Sequence, residues 1–299
     1  MSSSHPGRSN QAAVLGERFR AVATATTAPP TFFATATTGA PTLLITFGAT
    51  GAGKSGLFRT AGALVGFDFT RYESALVDDL VENDPNYKLR IVDLLRRTSK
   101  QRLANPDPEL YAQFKTAYFA ERSKTRNAAG QTNDDVNDLK ITHALAAKLD
   151  LQFETTGTYY PTWLINLTGG AYKIVLACTF VSYCNLIQRN LSRNKAAMEL
   201  FQKNVLANPA PRLPDVNAVG DTMVKHGDVL ARLLRNDWCR SGSSFCGQYP
   251  TTRVLLYTNE DRLDLVYDSK HATAKQTERL MEVLKKRFFE PSACASAGH

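Results

Sequence analysis

The 299-residue sequence is short of several things, and each shortage excludes a class of protein. Its five cysteines (Cys178, Cys184, Cys239, Cys246, Cys294) are an odd number without a Cys-x-x-Cys pair. That pattern is not a secreted disulfide framework, and the spacing of Cys239 and Cys246 does not suit a zinc knuckle. Free thiols in a reducing compartment are the expectation. The five histidines are equally sparse. His143, His226 and His271 show no metal-ligand spacing, and His5 and His299 sit in the terminal segments, so none is assigned a role. No apolar run approaches the ~20 residues of a membrane span; the stretch 174–181 is strand-length. The two tryptophans, Trp163 and Trp238, read as core or cleft wall. The sequence has no basic stripe interleaved with aromatics, no internal repeat and no secretory apolar segment.

What is present starts with charge. The formal net charge is +8, which favours anionic partners. A nucleotide-binding protein needs local positive charge in any case, so nucleic acid is a possible partner and not the favoured one. Residues 1–42 are rich in Ser, Thr, Ala and Pro and read as a disordered leader. There Arg8, Arg18 and Arg20 stand against Glu17 alone, a weak transit-segment character within an expected cytoplasmic setting. Residues 291–299 read as a flexible tail.

The most specific stretch is an apolar strand at 43–47 running into Gly48-Ala49-Thr50-Gly51-Ala52-Gly53-Lys54-Ser55. This is G-x-x-x-x-G-K-S, the phosphate-binding P-loop. Its glycines let backbone N–H groups approach phosphate oxygens, and a helix at 53–64 would point its positive end at the same anion. Lys54 is placed to reach the β- and γ-phosphates, and the Ser55 hydroxyl to ligate Mg²⁺.

Further strands are expected at 75–77, 149–153, 172–181, 253–257 and 263–267. Helices are expected at 85–103, 109–126, 134–148, 161–167, 183–206, 215–236 and 273–289. Strands alternating with helices predict an α/β doubly wound, mostly parallel twisted sheet with helices on both faces, the P-loop NTPase fold. One domain would cover 43–290, with a helical insert at about 88–148 between the second and third strands and a lid region at about 183–215. Site candidates then fall at the C-terminal ends of strands, where such sheets bind ligands.

Phosphoryl transfer needs a cradle, a metal, a base and positive charge on the transferring group. Asp78 and Asp79 follow the second strand, and one of them can take a proton from an acceptor hydroxyl. Glu154, after the third strand, can hold Mg²⁺ through water or bind the acceptor together with Thr156. Arg189 and Arg193 lie four apart on one helix face and suit a lid over polyphosphate, with Arg212 on a Pro-rich loop as a second contact.

In order and spacing these motifs resemble the zeta-toxin-like P-loop kinases. Asp78-Asp79-Leu80-Val81-Glu82-Asn83-Asp84-Pro85-Asn86-Tyr87 fits the family's Asp-x6-Pro-x-Tyr, and Glu154-Thr155-Thr156 fits its Glu-x-Thr. Arg189 or Arg193, and Arg212, fit its two phosphate-clamping arginines. The resemblance implies Mg²⁺-dependent transfer of the γ-phosphate of ATP (or GTP) to a small-molecule hydroxyl, with Asp78 as base. For zeta toxins proper the acceptor is a UDP-N-acetylamino sugar; whether this chain has an antitoxin-like protein partner stays open. Two alternatives stay open, a polynucleotide 5′-hydroxyl kinase and a nucleotide-binding regulatory protein without transfer activity.

Overall fold

The computed structural model describes residues 39–124, 130–234, 253–284 and Lys286. Most of the leader, the tail, Cys239, Cys246, Cys294, Trp238, His5 and His299 lie outside the described residues. One sheet contains β1 (Thr42–Phe47), β2 (Tyr72–Ala75), β3 (Asp150–Thr155), β4 (Lys173–Phe180), β5 (Arg253–Asn259) and β6 (Leu263–Asp268). Their spatial order is β2-β3-β1-β4-β5-β6, and every neighbouring pair is parallel except β5 with β6. The chain is therefore an α/β protein built on a mostly parallel, doubly wound sheet.

β1 sits at the centre and is buried along its whole length. Leu43, Ile45 and Phe47 face one hydrophobic cluster and Leu44 faces another on the opposite side of the sheet. A largely apolar run, broken here only by buried Thr46, is what a parallel strand covered on both faces requires. From β1 the chain passes to β2 on one side of the sheet, and β4 lies on the other. The resulting crevice opens at the strands' C-terminal ends.

The helices are α1 (Lys54–Val65), α2 (Val77–Glu82), α3 (Pro85–Arg97), α4 (Lys100–Ala104), α5 (Pro108–Arg122), α6 (Asn133–Ala147), α7 (Thr162–Leu167), α8 (Tyr183–Lys203), α9 (Val219–Leu234) and α10 (Ala274–Leu284). Local chemistry starts several of them. Asp84 accepts from the N–H groups of Asn86 and Tyr87 with Pro85 at the first helical position, and Asp107 does the same for α5 with Pro108 following. Thr132 and Asp135 form a reciprocal capping box for α6.

The insert α3–α6 does not stand apart from the lid. Tyr87, Ile91, Leu110, Phe114 and Tyr118 share one buried cluster with Met198 and Phe201 of α8 and with Ala210 and Leu213. Among the described residues no helix is long and apolar enough to cross a membrane.

Three expectations are corrected. The second strand is 72–75, not 75–77. It is an edge strand, Tyr-Glu-Ser-Ala, whose only buried residue is Ala75, so it carries no apolar run to read. Asp78 and Asp79 consequently lie in the first turn of α2, where carboxylates favour the positive helix end. The helix expected at 85–103 breaks at Thr98, which is extended (φ −102°, ψ 130°), and Ser99 caps a new helix by accepting from the N–H of Arg102. Finally, Cys184 is disulfide-bonded, so the free-thiol reading holds for buried Cys178 and not for Cys184.

Candidate active site

Gly48–Ser55 links β1 to α1 at the sheet's C-terminal edge. Gly51 (φ 85°) and Gly53 (φ 91°) adopt the left-handed conformation that other residues enter only under strain. A Cβ on Gly51 would stand 2.7 Å from the Asn190 side chain, and one on Gly53 2.3 Å from Asn259. Those two amides hold the loop's shape. Asn190 Nδ2 donates to the Thr50 carbonyl at 2.8 Å, and Asn259 Nδ2 to the Ala52 carbonyl at 2.9 Å. The Thr179 hydroxyl also donates to Ala52. The Ala52 N–H is used within the loop, donating to the Ala49 carbonyl at 3.0 Å, and the Gly48 N–H donates to the Thr155 carbonyl at 3.3 Å. With its carbonyls tied back, the loop suits an anion at its remaining N–H groups.

Helix α1 begins at Lys54 with no side-chain cap and no acid in its first turn, which suits an external phosphate at its N-terminus. The Lys54 ammonium is buried, donates to the Gly48 carbonyl at 2.9 Å and lies 3.4 Å from a Glu154 oxygen. Burial holds its pKa below the ordinary lysine value, while Glu154 and, more weakly, Asp78 pull it back up. Glu154 is placed here because it pairs in register with Thr46, two residues before the loop. Ser55 is exposed at the head of α1, and Thr156 is exposed just after β3 with its hydroxyl 3.3 Å from that of Thr158.

Among the described residues no three His, Cys, Asp or Glu side chains cluster as a self-contained metal site. One carboxylate (Glu154) and one hydroxyl (Ser55) beside the Gly48–Ser55 loop are the kind of oxygen ligands Mg²⁺ takes, one or two protein groups being the usual number.

The acid side of the crevice is built around Asp78. Its Oδ2 lies 2.5 Å from Arg212 Nη1, and its Oδ1 accepts from the Tyr118 hydroxyl. Arg212 Nε reaches Glu82 at 2.6 Å. Burial works against the Arg212 charge, but Asp78 and Glu82 outweigh it and keep the guanidinium protonated. Burial pushes the Glu82 carboxyl up, Arg212 draws it down and Asp78 adds to the rise.

The loop carrying Arg212 is pinned from two sides. Tyr87 donates through its hydroxyl to the Pro211 carbonyl at 3.0 Å, and the Ala210 N–H donates to the Glu82 carbonyl at 2.8 Å. This gives the Asp-x6-Pro-x-Tyr spacing a physical meaning. Asp78 binds Arg212, and Tyr87, nine residues on, holds the loop that presents it. Leu213 sits at φ 47°, a conformation unusual for leucine, which marks this loop as held in place by its surroundings.

Two pairs left open by the sequence now differ in position. Arg193 lies three residues after Asn190 on α8, the same helix side that meets the P-loop, and its charge bears on Lys54 and Glu82. It also lines a 160 Å³ cavity with Glu82, Asn194, Pro211 and Arg212. Arg189 instead donates to the Glu260 carbonyl, where the Glu260 carboxylate accepts from the Ser182 N–H at 2.7 Å and ties the start of α8 to the β5–β6 hairpin. Of the two acids, Asp78 faces Arg212 and Tyr118, and Asp79 is exposed.

No protein-family model matches the chain. No curated protein matches it either. Solved structures do. One, from the characterisation of the PezAT chromosomal toxin–antitoxin system of the human pathogen Streptococcus pneumoniae, is 18% identical, with 97% of this chain and 91% of that chain covered and a TM-score of 0.46. A gluconokinase from Sinorhizobium meliloti is 13% identical, covering 68% of this chain and 99% of the other, with a TM-score of 0.26. At such distances the chemistry has to be read from this chain's own geometry.

That geometry adds residues that carry no signal along the chain: Tyr118, Glu82, Asn190, Asn259 and Thr179. It also gives His226 a structural place. Its buried ring stacks on Phe180 at 5.1 Å and fills the space where a Cβ on Gly157 would stand, 2.8 Å away. Burial, with a smaller push from Lys54, lowers its pKa to about 3. The unfolded chain takes up this proton near pH 6.5 and the folded chain does not until about pH 3. Stability from this group is therefore present above pH 6.5 and lost as pH falls toward 3, by about 1.4 kcal/mol per pH unit. Denaturant unfolding at pH 7, 6 and 5 should show this slope, and His226→Gln should flatten it; an equal slope in the variant would refute the assignment.

Proposed function

We propose that this protein is a P-loop phosphotransferase that moves the γ-phosphoryl group of ATP (or GTP) to a hydroxyl of a second, small-molecule substrate. The observation that carries this reading is that Lys54 of the P-loop lies beside Glu154 and within electrostatic reach of an acid, Asp78, and of Arg193, while Arg212 binds that same acid. A protein that only bound nucleotide would need the loop and not the acid. The P-loop amides and Lys54 bind the β- and γ-phosphates. Ser55 and Glu154 would hold Mg²⁺, whose charge offsets that of the phosphates. Glu154 and Thr156 flank the acceptor side.

In the transfer step the acceptor oxygen forms a bond to the γ-phosphorus as the bond to the β,γ-bridging oxygen breaks. The acceptor proton passes to the Asp78 carboxylate, and the nucleoside diphosphate leaves with the bonding electron pair. Arg193 and Arg212 stabilise charge on the equatorial oxygens. In this reading Arg193, not Arg189, is the lid arginine, and Asp78, not Asp79, is the base. A nucleotide sugar is one acceptor of the proposed class.

The test is incubation with γ-labelled ATP, Mg²⁺ and a small-molecule extract, with Lys54→Ala run in parallel. One or more metabolites should gain label with the wild type and not with the variant. Mg·ATP binding should weaken roughly tenfold to a hundredfold in Lys54→Ala, the scale of a lost charge-assisted contact. Undiminished binding would sink the P-loop assignment. Label appearing on oligonucleotide ends, with binding that falls steeply with salt, would move the acceptor class to nucleic acid.

A further inference from the structure

We infer that Tyr118, which the helical insert supplies, is a positioning residue for Asp78, so that the insert completes the centre that activates the acceptor. The inference rests on the phosphotransferase reading for its chemistry, and on contacts of its own for its geometry. Tyr118 lies on α5, forty residues from Asp78. Its ring is buried in the cluster that joins insert to lid, edge-on to Tyr87 at 6.1 Å and to Phe119 at 5.3 Å. Its hydroxyl donates to Asp78 Oδ1. The other oxygen, Oδ2, belongs to Arg212. Each carboxylate oxygen thus has a donor from a different element, and the plane of the acid is fixed between them.

The same ring supports the second donor, since the Arg212 guanidinium carbon lies 5.6 Å from its centroid. Burial and the charge of Asp78 hold the phenol far above its usual range, so it stays a donor. Arg212 is also the group that a polyphosphate would attract. When Arg212 turns to phosphate, Tyr118 is what keeps Asp78 from following it. Packing alone does not require the hydroxyl, because a phenylalanine ring would fill the same space.

Tyr118→Phe separates the two roles. With Mg·ATP hydrolysis as the probe, water standing in for the acceptor, we expect kcat to fall roughly tenfold to a hundredfold, the scale of a hydrogen bond to a charged group. The KM for ATP should stay within about twofold, because the contact is with the acid and not with the nucleotide. In an Asp78→Asn background the same change should cost nothing further. Wild-type kcat in Tyr118→Phe alongside a crippled Asp78→Asn, or losses that multiply in the double variant, would overturn the inference and leave the kinase reading standing. Failure of the kinase reading looks different: wild type and Lys54→Ala would hydrolyse ATP equally. The contact is also read without nucleotide, as a Tyr118 hydroxyl proton protected from exchange in the wild type and lost in Asp78→Ala. Its absence from the wild type overturns the inference whatever the kinetics show.

Discussion

Replacing Asp78 with asparagine is expected to reduce phosphoryl transfer by about 10²–10⁴-fold, the range for loss of a positioned general base. The affinity for Mg·ATP should change by no more than a few-fold. Two features of the site separate the effects. Asparagine keeps the size of the side chain and can still accept from Tyr118, so the insert–lid cluster stays packed. Arg212 keeps Glu82 as a partner when Asp78 loses its charge, so no guanidinium is left buried without a carboxylate. What the variant lacks is a group able to take the acceptor proton. The decisive measurement is kcat beside a calorimetric Kd for Mg·ATP. Unchanged transfer with intact binding would remove Asp78 from the base position. Equal loss of both would mean that it acts through the nucleotide site instead, by way of its charge on Lys54.

The parts of this site that could be read along the chain are those whose geometry closes within a few residues. The P-loop is one: eight consecutive residues with Gly51 and Gly53 where φ is positive, following a strand buried along its whole length. Asp84-Pro85 and Asp107-Pro108 are others, since cap and first helical residue adjoin. Glu154 was legible as a strand-end acid because β3 is buried and regular. β2 is not legible in the same way, because an exposed edge strand carries no hydrophobic signature, and Thr98-Ser99 breaks its helix with neither glycine nor proline.

The remainder of the site depends on contacts distant in sequence. Tyr118 meets Asp78 across 40 positions, Asn190 meets Thr50 across 140, and Asn259 meets Ala52 across 207. Helical periodicity puts Arg193 on the same side as Asn190, but nothing in the sequence says which side of α8 meets the P-loop. Sequence periodicity alone therefore does not separate Arg189 from Arg193; the contact of Asn190 with Thr50 does.

Removing the second arginine should have the largest effect of all. Arg212→Ala is expected to lower kcat by about 10³–10⁵-fold, the range for arginines that stabilise a transferring phosphoryl group. That variant alone is ambiguous. It also leaves the carboxylates of Asp78 and Glu82 side by side without their shared cation, a like-charge arrangement that costs stability. Arg212→Lys resolves the ambiguity. A lysine keeps the positive charge between the two acids, so thermal unfolding should stay within a few degrees of wild type. It presents a point charge in place of the planar fork that spans Asp78 and Glu82 and matches phosphate oxygens two at a time. We therefore expect Arg212→Lys to fold normally and still lose most of the rate, with the loss in kcat larger than any rise in KM. Near wild-type kcat in the lysine variant would show that charge suffices, making Arg212 a brace for Asp78 and leaving Arg193 as the arginine that meets the transferring group.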